Sequence, residues 1–328
     1  MRVLLPILAG GLVLLLLIWP QIVKRRDFIS DVLKTSAVPL NPNAQIDMKK
    51  VLFYSEDNKG QPFQLAADKI WEIDSVNKVV QIDYPKGEML LNSGVKLFSN
   101  SQTAFLYQEK GEVHFKEKVH LNSDNGYRIE TSNVFVDYQN QLSYSDKPIS
   151  VRGEKIDLDA TAFKMRQNGD EVDFTGPIKL VLKDVAKGQN ILITANGLTE
   201  ARQKTQAITF HKNVIAYYDK NKIFCDKMRA YFKSKGGHEY DLKSVQAQKN
   251  VKITTENEVI TGDDAFYDME KEKAFITGNV VITKAEGNMK GDRAVVDMKT
   301  GLSQLEANSK KKSGQRVKGT LYPTKIKK

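Results

Sequence analysis

The chain has 328 residues, 41% of them apolar and 27% charged, a balance that excludes a disordered polyampholyte and supplies apolar material for about two domains. Its formal charge of +10 is concentrated at one end: residues 309–328 carry Lys310, Lys311, Lys312, Arg316, Lys318, Lys325, Lys327 and Lys328 and no acid, so the rest is almost neutral, and the charge of such a tail does not choose between phosphate on nucleic acid and phosphate on lipid. The single cysteine, Cys225, excludes an internal disulfide and a cysteine-rich metal site, and suits a small buried apolar position.

In chain order, the first predicted element is a membrane segment. From Val3 to Val23 the chain is almost wholly apolar, and at 1.5 Å per residue this stretch spans a hydrocarbon core of about 30 Å. No small-x-small cleavage site follows Ile18-Trp19-Pro20-Gln21, which favours an uncleaved anchor over residues 1–23, with Trp19 in the interfacial belt. Arg2 on one side and Lys24-Arg25-Arg26 on the other slightly favour a cytoplasmic body by charge alone. Residues 24–50 mix charges with Pro39, Pro42 and asparagines and read as a stalk.

From Val51 onward, turn signals such as Asn125-Gly126, Asn168-Gly169, Asn196-Gly197 and Glu286-Gly287 separate runs that alternate with period two, for example Val134-Phe135-Val136-Asp137-Tyr138. Such runs are strands with one wet and one dry face. The polar stretch Asp184–Gln189 is the best internal boundary, giving bodies at 51–185 and 186–308 before a basic tail at 309–328.

A short phrase recurs through both bodies: a polar or turn residue, then Val or Ile, then alternation. The anchoring residues are Val119, Ile149, Ile178, Val214, Val251 and Val280, spaced by 30, 29, 36, 37 and 29 residues. A period of this size means stacked units, each a strand pair that buries its dry face only against its neighbours.

The segments Gly111–Leu121, Gly126–Thr131 and Val134–Tyr138, with Pro148-Ile149-Ser150-Val151 and Phe174–Leu180, resemble the lipopolysaccharide export family LptC over about residues 1–185. Ile208–Val214, Val259–Tyr267, Ala274–Ile282 and Gly291–Asp297 resemble the LptA, or OstA-like, bridge family over about residues 186–308. Two families that usually occupy separate chains stand here in one. The resemblance implies an all-β fold, an N-terminal transmembrane helix followed by an extended, twisted open β-jellyroll of stacked strand pairs with a V-shaped interior. It also implies a single-pass inner-membrane protein whose body lies in the periplasm, which overrides the charge count. The implied partners are lipopolysaccharide, an inner-membrane ABC transporter, and further periplasmic bridge subunits or the outer-membrane translocon, with no nucleic acid among them.

Alternation independently predicts a continuous apolar interior. The candidate lining, taken from the dry positions, is Val134, Val136, Phe163, Met165, Phe224 and Met228, with Ala230, Phe232, Ala265, Tyr267, Ala294 and Val296 further along. A bulge at Lys116-Glu117-Lys118 or at Lys212-Asn213 would flip the alternation. Open sheets leave edges for strand addition. The expected partner edges are Val51, Leu52, Phe53 and Tyr54 at one end, and Val295, Val296, Asp297 and Met298 at the other.

Signatures of chemistry are missing. His114, His120, His211 and His238 lack metal-ligand spacing, and Asp157, Asp159, Asp263 and Asp264 read as turn or solvated-face residues before they read as a glycosidase pair. No phosphate loop, dinucleotide fingerprint or nucleophile elbow occurs, so no catalytic residue, metal or cofactor is expected. Two other readings of the repeat are an anchored β-scaffold that binds partners through strand edges and a polysaccharide-active parallel β-helix.

Overall fold

The alternating runs all become antiparallel strands. The computed structural model describes residues 47–56, 62–90, 96–124, 126–137, 140, 142–154, 156–166, 171–186, 189–236, 239–297, 300, 303–307 and 317–321. The predicted membrane segment, the stalk and most of the basic tail lie outside these residues. Among the described residues no helix is long and apolar enough to cross a membrane. The described chain divides into two compact units between Thr175 and Gly176.

The N-terminal unit holds β1 (Asp47–Glu56), β2 (Pro62–Asp74), β3 (Val79–Asp83), β4 (Lys86–Leu90), β5 (Lys96–Asn100), β6 (Thr103–Tyr107) and β7 (Glu112–Ser123). They are followed by β8 (Arg128–Asp137), β9 (Leu142–Ser145), β10 (Ile149–Arg152), β11 (Ile156–Ala160), β12 (Ala162–Arg166) and β13 (Glu171–Thr175). Each long strand is shared between two ladders. The first half of β7 pairs with β6 and with the second half of β8, while its second half pairs with β5 and with the first half of β8. Continuing outward, β8, β9, β12 and β13 extend one ladder, which we term A, and β8, β10 and β11 extend the other, ladder B.

The C-terminal unit repeats the scheme with β14 (Ile178–Ala186), β15 (Gln189–Ala195), β16 (Thr199–Arg202), β17 (Ala207–Tyr218), β18 (Asn221–Gly236) and β19 (Glu239–Thr254). It ends with β20 (Glu258–Asp268), β21 (Lys273–Lys284), β22 (Gly287–Asp297), β23 (Ser303–Glu306) and β24 (Lys318–Leu321). Here β16 and the ladder-A halves of β17 to β22 lead to β23, and β14, β15 and the other halves lead to β24.

The recurring phrase marks the corner between the ladders. On β7, β17, β19 and β21 the pairs Glu117-Lys118, Lys212-Asn213, Lys249-Asn250 and Gly278-Asn279 all have positive φ, between 49° and 79°. Asparagine and glycine tolerate this left-handed region, which explains the Asn before the anchoring Val. Each pair faces a single residue of the next strand, a β-bulge opposite Ser132, Asp226, Asp263 or Asp292. Asn250 Nδ2 donates to Asp226 Oδ2 at 2.7 Å and Asn279 Nδ2 to Asp263 Oδ2 at 3.1 Å, so the bulge is clasped to the strand before it. All six anchoring residues then enter the core, none more than 4% exposed.

The bulge flips the alternation in the partner strand, not in the bulged one. On β17 Phe210 and Val214 are both buried, four residues apart; on β18 Cys225 and Met228 are both buried, three apart. The consequence is a correction to the lining expected from sequence: Phe224 sits next to Cys225 and therefore points away from the dry face. The C-terminal edge is also displaced. Val295 and Val296 pair with Gln304 and Ser303, so β23 covers them, and Met298 lies outside the described residues.

Candidate functional site

Across ladder A of the C-terminal unit, one register row runs Phe210, Met228, Ala247, Ala265, Ile276, Ala294. All six side chains are buried. The facing row of ladder B alternates large and small: Val214, Cys225, Val251, Gly262, Val280, Gly291. The small residues are required. A Cβ on Gly262 would stand 2.6 Å from Ile276 Cγ2, and one on Gly291 would stand 2.8 Å from Leu305 Cγ and 2.9 Å from the Glu306 carbonyl oxygen. The dry side is therefore closed at the corner by interlocking side chains.

One row further from the corner the closure ends. In ladder A, Ala230, Val245, Tyr267, Ala274 and Val296 stand in register and are all partly exposed. In ladder B, Ala216, Ile223 and Ile253 are likewise partly exposed, before Ile260 and Ile282 close the far end. Three of these eight are alanines, which leave room between larger neighbours. The result is an apolar cleft, floored at the corner and open towards the hairpin ends. Burial raises the pKa of the half-buried Tyr267 phenol, aided by nearby Glu272, so the hydroxyl stays neutral.

The sequence-derived candidates divide accordingly. Val134, Phe163, Met165, Met228, Ala265 and Ala294 are buried where they stand. Val136, Ala230, Tyr267 and Val296 are on the dry face and partly exposed, and Phe232, partly exposed as well, lies beyond a register shift that separates it from Tyr231. Sequence reasoning missed Ala216, Ile223, Val245, Ile253 and Ala274; the same parity, counted from the anchoring Val214, Val251 and Val280, would have found all but Ile223, which lies on the partner strand β18. At the other end β1 pairs with β2 and with no further strand among the described residues; Leu52 is exposed there, and the side chains of Phe53 and Tyr54 lie outside the described set.

The titratable groups form pairs of ordinary structural kind. Asp159 meets Arg152 at 2.5 Å, His211 meets Glu200 at 2.7 Å and His114 meets Glu112 at 3.1 Å. Burial lowers the His114 pKa, with Glu112 opposing it, and the ring lies between Tyr107 and Phe135. Cys225 is fully buried and burial pushes its thiol up to about 11, which makes it inert. No group of three or more His, Cys, Asp or Glu able to hold a metal occurs among the described residues.

Residues 11–183 match the family model described as lipopolysaccharide-assembly, LptC-related. The chain belongs to that family. Its C-terminal part matches a second model, the LptA/(LptD N-terminal domain) LPS transport protein, over residues 192–302 and 259–322. Both signatures thus stand in one lipopolysaccharide-transport chain. No curated protein matches significantly. Among solved structures, the chain is similar to LptH from Pseudomonas aeruginosa, the LptA homologous periplasmic component of the lipopolysaccharide transport device, at 13% identity and a TM-score of 0.34, over 40% of this chain and 95% of that one.

Proposed function

We propose that this protein is a membrane-anchored periplasmic bridge that carries lipopolysaccharide, with Val3–Val23 holding it in the inner membrane. The observation that carries the reading is the partly exposed apolar row of Ala230, Val245, Tyr267, Ala274 and Val296 facing Ala216, Ile223 and Ile253. Apolar surface is left uncovered behind a closed corner, as a carrier of hydrocarbon needs. An acyl chain of roughly a dozen methylenes costs on the order of 10 kcal/mol to expose to water. A conduit must therefore offer it a succession of similar apolar sites, and register rows supply such sites at about 4.8 Å intervals, strand by strand.

In this reading β1, with Val51, Leu52, Phe53 and Tyr54, receives lipid from the inner-membrane ABC transporter by edge pairing, and β23 and β24 pass it to further bridge subunits or to the outer-membrane translocon. The 51–185 and 186–308 bodies perform the two successive steps that separate chains perform elsewhere. No step is catalytic. The test is copurification: the full chain, extracted in detergent from cells that make lipopolysaccharide, should carry it, and Ala230→Arg or Ala274→Arg should lose it while the far-UV circular dichroism is kept. Equal lipopolysaccharide on the arginine variants would remove the cleft from the account.

A further inference from the structure

The two wet faces of the C-terminal unit differ in charge. On ladder A, Glu200, Asp264, Asp268, Asp297 and Glu306 alternate with Arg202, Lys227, Arg229, Lys273 and Arg293 on outward positions, so the face is balanced. Ladder B is different. Its outward strand positions, reached by stepping away from the corner from the buried Ile178, Ile193, Val214, Cys225 and Val251, include Lys179, Lys222, Lys252, Lys290 and Lys318, while the carboxylates of the described residues stand only at its two ends, Asp226, Asp263 and Asp292 at the corner bulges and Asp219, Glu256 and Glu286 in the hairpin turns.

The same face is apolar where a wet face should be polar. Val181 pairs with Leu192 and Leu192 with Tyr217, while Ile215 pairs with Phe224 in the adjoining row. All five are partly or wholly exposed, Tyr217 at 36%, and Lys222 Nζ lies 5.4 Å from the Tyr217 ring centroid. The inner positions of these strands, Leu180, Ile193, Val214 and Cys225, are buried, so this part of the ladder is apolar on both sides. Threonines 254, 261, 283 and 320, with Val259, Val281 and Asn288, occupy the outward positions between the apolar group and the distal lysines.

We infer that the outer face of ladder B docks on an anionic phospholipid bilayer, with Leu192, Ile215, Tyr217 and Phe224 in the headgroup–acyl boundary and the lysines on lipid phosphates. Charge complementarity selects this occupant. Protein interfaces favour arginine and deplete lysine, yet every cation on this face is lysine while arginines stand on ladder A. Lysine is a compact, strongly hydrated charge suited to a mobile phosphate layer, and long apolar and aromatic side chains between lysines match the boundary region of a lipid surface. The inference uses the outer face and is independent of lipid carriage in the cleft.

The test places an environment-sensitive fluorophore at Tyr217→Cys, or at the control Thr277→Cys on the outer face of ladder A, in the full chain; buried Cys225 stays unlabelled. The chain is reconstituted in vesicles of phosphatidylcholine, or of phosphatidylcholine mixed with phosphatidylglycerol, and protein-free vesicles of the same composition are added. The expected result is a blue shift at position 217, quenched by brominated lipid, in the anionic vesicles alone, and absent at position 277. In salt of about 1 M, where the Debye length falls to about 3 Å, the shift should vanish. The combined K222Q/K252Q/K290Q/K318Q variant should lower the ratio of docked to free protein by about fivefold per lysine, with an unchanged thermal transition as the folding control. No shift at 217, an equal shift at 277, or a shift indifferent to the lysines would overturn the inference, the first of these pointing to an acidic protein surface as the occupant instead.

Discussion

The closed corner makes a strong claim about Gly262. A methyl group there would lie 2.6 Å from Ile276 Cγ2 and 3.2 Å from the Thr277 carbonyl oxygen, and both neighbours belong to a fully paired strand that has little room to move. Gly262→Ala should therefore behave as overpacking and cost about 1–3 kcal/mol, which lowers the midpoint of thermal unfolding by about 3–10 °C for a unit of this size. Ile276→Ala alone should cost about 2–5 kcal/mol, because Ile276 is fully buried and leaves a cavity. That substitution also removes the atom against which the methyl group added at position 262 collides. The double variant should then be less damaged than the sum of the two singles by about 1–3 kcal/mol. Equilibrium urea unfolding of the four proteins, followed by far-UV circular dichroism, measures the cycle. A neutral Gly262→Ala, or strict additivity, would show that the corner is not closed by this contact.

Three further outcomes follow from the same geometry. Asn279→Val puts a β-branched residue at φ 49° and removes the bond to Asp263, and should cost about 1–3 kcal/mol, whereas Asn279→Gly keeps the backbone permissible and should cost about 1 kcal/mol, both read from urea midpoints. Cys225 should resist alkylation at pH 8 in the native protein and react at once in denaturant; quick native labelling would contradict its burial and raised pKa of about 11. His114 has its pKa lowered in the folded state, so the unfolded chain binds the proton more readily. Stability should fall as pH drops below about 6.5, the unfolded value, and His114→Gln should remove that part of the slope; a steeper slope in the variant would reverse the assignment.

The repeat is legible because its anchors are the residues that close the core: Val119, Val214, Val251 and Val280 each follow two left-handed residues, and the Asn that tolerates that conformation sits beside them in three of the four. Strand type and dry-face parity are therefore readable in the bulged strands. They are not readable in the partner strands. Nothing local to Phe224-Cys225-Asp226-Lys227-Met228 announces that one residue must oppose two, and simple parity puts Phe224 on the wrong face because the slip is dictated by β17 and β19. Pairing across a sheet is a non-local property, and so are the edges: β24 arises within the basic tail, where Val317, Gly319 and Leu321 alternate too briefly to be seen among the lysines, yet it pairs with Gly287–Lys290. Depth within the cleft is equally hidden, since Met228 and Ala230 have the same parity and differ only in their distance from the corner.

In the proposed bridge, lipid travels on the dry face. The most direct test is site-specific photo-crosslinking in living cells with the probe at Tyr267 or at its neighbour Phe266. The two are adjacent and both aromatic, and Phe266 is 39% exposed on the outer face, so simple accessibility favours it. Lipopolysaccharide adducts at Tyr267 and none at Phe266 are the predicted result, repeated at Val296 against Val295. Adducts at Phe266 with none at Tyr267, or none at any dry-face position in a folded and anchored protein, would contradict the conduit.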